Sequence, residues 1–75
     1  MEKFLENFAA QFEETDDTLI TEDTYFKELE EWSSLISLSV IAMVDEEYGI
    51  TLKGDDIRNS KTIKDLFNIV QSKTL

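Results

Sequence analysis

The 75-residue chain contains no His and no Cys, so its chemistry has to be sought among hydroxyls and carboxylates. One hydroxyl stands apart by its setting. Ser34 lies at the step from an acidic stretch ending in Glu30, Glu31 and Trp32 to an apolar helical run, Leu35 to Val44. The first backbone N–H groups of a helix have no intrahelical acceptor and the helix dipole is positive there, so an added phosphate would be stabilised. A nucleophilic serine, in contrast, normally needs a neighbouring general base. Without a histidine, Ser34 reads as a point of attachment and a substrate, and the chain is not expected to be an enzyme. The same absences remove His/Cys zinc sites, disulfides and thiol catalysis. Asp16-Asp17 and Asp55-Asp56 lack the alternating ligands and central glycine of an EF-hand loop, so no metal site is expected there.

Four helical segments are needed to position this serine. The first is expected over about Glu2 to Glu13, with Phe4, Leu5, Phe8 and Phe12 at helical spacing on one stripe. The second runs from about Ser33 to Tyr48, opens at Ser34, and ends where Gly49 can take a left-handed turn. Its apolar residues, Leu35, Leu38, Val40, Ile41, Val44 and Tyr48, cover more surface than one buried stripe needs. A short turn of helix follows around Asp55 to Asn59, holding Ile57. The last helix begins with Thr62 as N-cap and Asp65 three residues on, close to a capping box, then places Ile63, Leu66, Phe67 and Val70 at i, i+3, i+4 and i+7. Between the first two helices lies a connection of about twenty residues, Glu14 to Trp32, of a length that usually signals function. Leu19, Ile20, Tyr25, Phe26, Leu29 and Trp32 are spaced through it as anchors, and Tyr25 to Glu31 is long enough for a turn of helix.

Length and composition imply one domain over residues 1–75, with no Pro, no internal repeat and no low-complexity linker. A chain this short buries only roughly 60% of its unfolded surface, which implies modest stability and leaves no room for a deep cleft. No apolar stretch approaches a membrane span, and Met1-Glu2-Lys3 does not begin a secretory leader. A soluble, cytoplasmic monomer is expected. Acids outnumber bases 17 to 7, for a formal charge of −10, and residues 1–52 hold 14 of those acids against Lys3 and Lys27 alone. Such a field repels nucleic acid and anionic membranes and attracts proteins with basic patches.

A helix, a long loop, a helix beginning in Ser-Leu, a short helix and a capped final helix together resemble the acyl carrier protein family over nearly the whole chain. The family's attachment motif is Asp-Ser-Leu at the start of the second helix, preceded by Trp in one subgroup; here it reads Trp32-Ser33-Ser34-Leu35. Ile41 to Ile50 is similar to the family's apolar run, acidic cluster, aromatic and glycine, and Thr62-Ile63-Lys64-Asp65-Leu66 to the start of its last helix. The resemblance implies an all-α fold, a small four-helix bundle. It also implies that Ser34 receives 4'-phosphopantetheine from coenzyme A through a phosphodiester, and that acyl groups then travel as thioesters on the arm. The expected partners are a phosphopantetheinyl transferase and acyl-loading, condensing and tailoring enzymes of fatty acid, polyketide or related biosynthesis. Their basic docking patches would meet Leu35, Leu38, Ala42, Asp45 and Glu46.

The chain departs from the family at Ser33, where Asp usually stands; Ser is still a good N-cap, but a carboxylate beside the modified serine is missing. Ile36 and Ser39 also replace acids that many relatives carry. The alternatives are an unmodified acidic helical module that binds a protein partner, or a peptidyl or aminoacyl carrier.

Overall fold

Phe4 and Phe8 lie one turn apart on the first helix and both are fully buried, so the amphipathic stripe read from the sequence does face the core. The structure, a computed structural model, describes residues 1–74. Its four α-helices are α1 Glu2–Ala9, α2 Ser34–Tyr48, α3 Gly54–Arg58 and α4 Ile63–Lys73, and no strand occurs among the described residues. Two single turns of 3-10 helix, Asp17–Leu19 and Phe26–Glu28, lie in the long α1–α2 connection. The expected all-α architecture, with its long first loop and short third helix, is therefore present.

The core is a cluster to which every α-helix contributes. Val40, Met43 and Val44 of α2 meet Phe4 and Phe8 of α1, Ile57 of α3 and Ile63, Leu66 and Val70 of α4. Phe4 packs its ring 5.2 Å from Phe67 and 5.9 Å from Tyr48. Local signals set the helix ends. Gly49 takes φ 65, in the left-handed region that glycine enters without a Cβ clash, and its N–H returns to the Asp45 carbonyl at 3.0 Å. At α4 the capping box is complete: Thr62 Oγ1 accepts from the Asp65 N–H (3.2 Å), while Asp65 Oδ2 accepts from the amides of Thr62 (3.1 Å) and Lys61 (3.0 Å). Those backbone hydrogen bonds, Thr62 first, hold the Asp65 carboxyl below its ordinary range. Asp16 likewise accepts from the Thr18 amide and hydroxyl at the start of the first 3-10 turn.

Three expectations need correction. The first helix stops at Ala9 instead of reaching Glu13. Beyond it the hydrogen bonds tighten to i−3, from Gln11 N to Phe8 O and from Phe12 N to Ala9 O, and the next three amides turn away to a side chain across the loop. Phe12 stays buried nonetheless. The third helix is shifted one residue, starting at Gly54 and ending at Arg58. Of the six loop anchors, Ile20 and Phe26 are buried and Leu29 and Trp32 partly buried, but Leu19 and Tyr25 are 57% and 54% exposed. Phe26 fills the gap below α1, 5.5 Å from Phe8 and edge-on to Trp32 at 5.0 Å. Its neighbour Tyr25 is thereby turned outward.

The loop is also tied to α3 and α4 by hydrogen bonds. The amides of Ile63 and Lys64, free at the start of α4, donate to the carbonyls of Thr24 (3.2 Å) and Glu22 (2.9 Å). Lys27 Nζ caps the other end of α3 by donating to the Arg58 carbonyl at 2.9 Å.

Candidate attachment site

Ser33 and Ser34 have different jobs in the structure. Ser33 has extended backbone and is the N-cap: its Oγ accepts from the Ile36 amide at 3.3 Å, and its carbonyl accepts from the Ser37 amide at 2.9 Å. Ser34 is the first residue inside α2; it is exposed, and its hydroxyl has no hydrogen-bond partner among the described residues. No acid stands in the first turn of α2, so nothing there offsets the positive end of the helix dipole.

An open groove runs beside the serine. It is lined by Trp32, Ser33, Ser34 and Ser37, by Leu38 and Ile41 further along α2, and by Gly54 at the start of α3. The remaining site residues lie along the outer surface of the same helix. Leu35 is 72% and Leu38 63% exposed, and Ala42, Asp45 and Glu46 are exposed after them. Steps of three and four residues put these side chains on neighbouring turns. All six residues expected at the site are thus brought to one accessible strip of α2, with the hydroxyl at its N-terminal end and the acids at its C-terminal end. Val40, Met43 and Val44, on the opposite side, are buried.

Three acids of the pairs Asp16-Asp17 and Asp55-Asp56 have local partners. Asp16 is a cap, Asp55 pairs with Arg58, and Asp56 accepts from the Lys53 amide and sits 3.6 Å from Lys73 Nζ. No group of three or more acids, among the described residues, is placed to hold a metal ion. No helix among those residues is long and apolar enough to cross a membrane.

Glu31 is the residue that sequence reasoning passed over. In the sequence it only ends an acidic stretch, whereas in the structure its carboxylate is enclosed by donors. Oε2 accepts from the Glu13 amide (2.7 Å), and Oε1 accepts from the amides of Glu14 (3.0 Å) and Thr15 (2.9 Å) and from the Thr15 hydroxyl (2.7 Å). These bonds, the Glu13 amide foremost and then the Thr15 hydroxyl, hold the carboxyl below its ordinary range. A lowered folded value means the clasp stabilises the fold at pH above about 4.3, the unfolded value, and loses that contribution as pH falls through the lowered one. Three of the four donors are backbone amides, which carry no residue signature, and only Thr15 gives the sequence any hint.

Comparison of the chain with protein-family models, with curated proteins and with solved structures gave no match.

Proposed function

We propose that the chain is a carrier protein, modified at Ser34 with 4'-phosphopantetheine and serving enzymes of acyl transfer. The observation that carries this reading is the division of labour between the two serines: Ser33 spends its oxygen on the cap, and Ser34 offers a free, exposed hydroxyl at the positive end of α2. The residues fit the group. A phosphodiester on Ser34 meets no carboxylate in the first turn, and the groove along Trp32, Leu38 and Ile41 gives the arm an apolar surface to lie against.

In the modification, Ser34 Oγ attacks the phosphorus of coenzyme A that bears the pantetheine. A new O–P bond forms, the pyrophosphate P–O bond breaks, adenosine 3',5'-bisphosphate leaves, and the serine proton passes to a base on the transferase. The chain's own part is to present the hydroxyl and bind the enzyme. When attached, the arm supplies the thiol on which acyl groups ride as thioesters; a chain with no cysteine has no competing thiol. Intact mass after incubation with coenzyme A, magnesium and a broad-specificity transferase tests the reading.

The exposed strip supplies the docking surface, with Leu35, Leu38 and Ala42 as apolar contact and Asp45 and Glu46 steering basic partners. Acids at a helix C-terminus oppose its dipole, so they add little to the helix itself. Reversing both, Asp45→Lys with Glu46→Lys, is expected to leave the fold intact and to lower the apparent association rate with the transferase about tenfold or more at low salt. The gap should close as salt is raised, because exposed charges are screened beyond about 8 Å at physiological ionic strength. Wild-type loading kinetics in the double variant at low salt would remove these acids from the docking surface.

Ser33→Asp is expected to speed modification without moving it from Ser34, since it restores a carboxylate where the transferase and its metal ion engage. A stopped time course of mass gain checks this, and equal rates would make the missing carboxylate irrelevant. The second reading, an unmodified acidic interaction module, has Ser33 in place of the family's Asp in its favour. It predicts no mass gain at all.

A further inference from the structure

We propose that Glu31 is the positioning residue for Ser34: its carboxylate clasps the chain leaving α1 to the chain entering α2 and so fixes where the first turn of α2 lies. The inference rests on the carrier reading only for what Ser34 is used for. Two consecutive contacts build the clasp. Phe12 stacks on Trp32, with ring centres 6.3 Å apart and an interplanar angle of 30°. In the residues after Phe12 and the one before Trp32, Glu13, Glu14 and Thr15 donate four hydrogen bonds to Glu31. Residues 12–15 and 31–32 are thus zipped together by an aromatic contact and a saturated carboxylate, and Trp32 is held further by its amide on the Leu29 carbonyl and its ring against Phe26.

This matters to Ser34 because the first turn of α2 touches the core through one partly buried side chain only, Ile36. The buried residues of that helix begin at Val40, and Ser34 to Ser37 are exposed or partly exposed. Their position therefore depends on Ile36 and on the residues before them, Glu31, Trp32 and the cap Ser33. The surroundings also show that the clasp is held without an ion pair. The pocket around Glu31 includes Glu14, Asp16, Glu28 and Glu30, with Glu13 at the first donor, and contains no basic residue. A carboxylate in that setting gains nothing from ion pairing; it is held by hydrogen bonds to backbone.

Glu31→Gln tests this with little change of shape. Gln keeps one acceptor oxygen but turns its NH2 toward the Glu13 or the Glu14 and Thr15 amides, so donor meets donor and the clasp opens. Trp32 is the only tryptophan, so its emission reports on the clasp directly. The expected result is a red-shifted and more readily quenched emission, unchanged far-UV circular dichroism, and loading at Ser34 slowed about tenfold to a hundredfold by misplacement. Asp65→Asn is the control, since it breaks a similar set of carboxylate-to-amide bonds at α4, and it is expected to leave Trp32 emission and loading near wild type. Unchanged emission in Glu31→Gln, or equal slowing in Asp65→Asn, overturns the proposal. If Glu31→Gln fails to fold, Thr15→Val removes only the hydroxyl donor; a smaller shift of the same sign supports the clasp and no shift overturns it. A wild-type chain that takes no phosphopantetheine sinks the carrier reading, while the emission comparison still decides the clasp.

Discussion

Phe26→Ala is expected to lower stability by about 3–5 kcal/mol, whereas Tyr25→Ala, one residue away, is expected to change it by less than about 0.5 kcal/mol. Phe26 is fully buried and supports two rings, Phe8 at 5.5 Å and Trp32 at 5.0 Å, both near edge-on. Truncating a buried Phe costs about 3–5 kcal/mol, and the lost aromatic pairs are part of that figure. A chain of this length has on the order of 4–11 kcal/mol in total, so the variant loses between about a third and all of it. Nor can the site collapse easily, because Phe26 lies on a loop whose ends are already fixed by Glu31 on one side and by the Thr24 carbonyl on the amide of Ile63 on the other. Urea unfolding followed by circular dichroism checks the pair. A midpoint for Phe26→Ala near that of Tyr25→Ala would mean that the long loop is draped over the helices and does not help to build the core.

That contrast also marks where the sequence stops being informative. The start and the buried face of helix α4 were legible because both signals are local: Thr62 and Asp65 are three residues apart, and Ile63, Leu66 and Val70 repeat on one face and are all buried. The end of α2 was legible for the same reason, since Gly49 alone can stop a helix at low cost. Tyr25 and Phe26 were indistinguishable as anchors because the loop has no period, and which ring turns inward is decided by packing against Phe8 on α1 and Trp32 at the end of the loop. The end of α1 failed differently. The Phe4, Leu5, Phe8, Phe12 pattern is helical, and Phe12 is indeed buried, but the amides of residues 13–15 are claimed by a carboxylate 16 to 18 residues on. No periodicity records a bond of that span.

The candidate site was marked by a different kind of signal. Apolar residues lie all round α2, so its pattern did not say which face is buried; Val40, Met43 and Val44 went inward, and Leu35 and Leu38 stayed out. Excess apolar surface did identify the helix that leaves two large apolar side chains exposed. Ser34 rather than Ser33 followed from register with Leu35, and the cap bond from Ile36 to Ser33 Oγ adds a physical reason for the same choice.

Ser34→Ala is expected to abolish modification altogether, because the oxygen that would form the phosphodiester is gone and the neighbouring Ser33 hydroxyl is occupied as the helix cap. Ser33→Ala, in contrast, removes a cap worth about 0.5–2 kcal/mol and loosens the first turn while leaving the acceptor in place. The most direct measurement is the intact mass of wild type, Ser33→Ala and Ser34→Ala after incubation with coenzyme A, magnesium and several phosphopantetheinyl transferases, with peptide mapping of the product. The account predicts one added phosphopantetheine on wild type and on Ser33→Ala, mapped to Ser34, and none on Ser34→Ala. An unchanged wild-type mass with every transferase, or addition to Ser34→Ala, would contradict it.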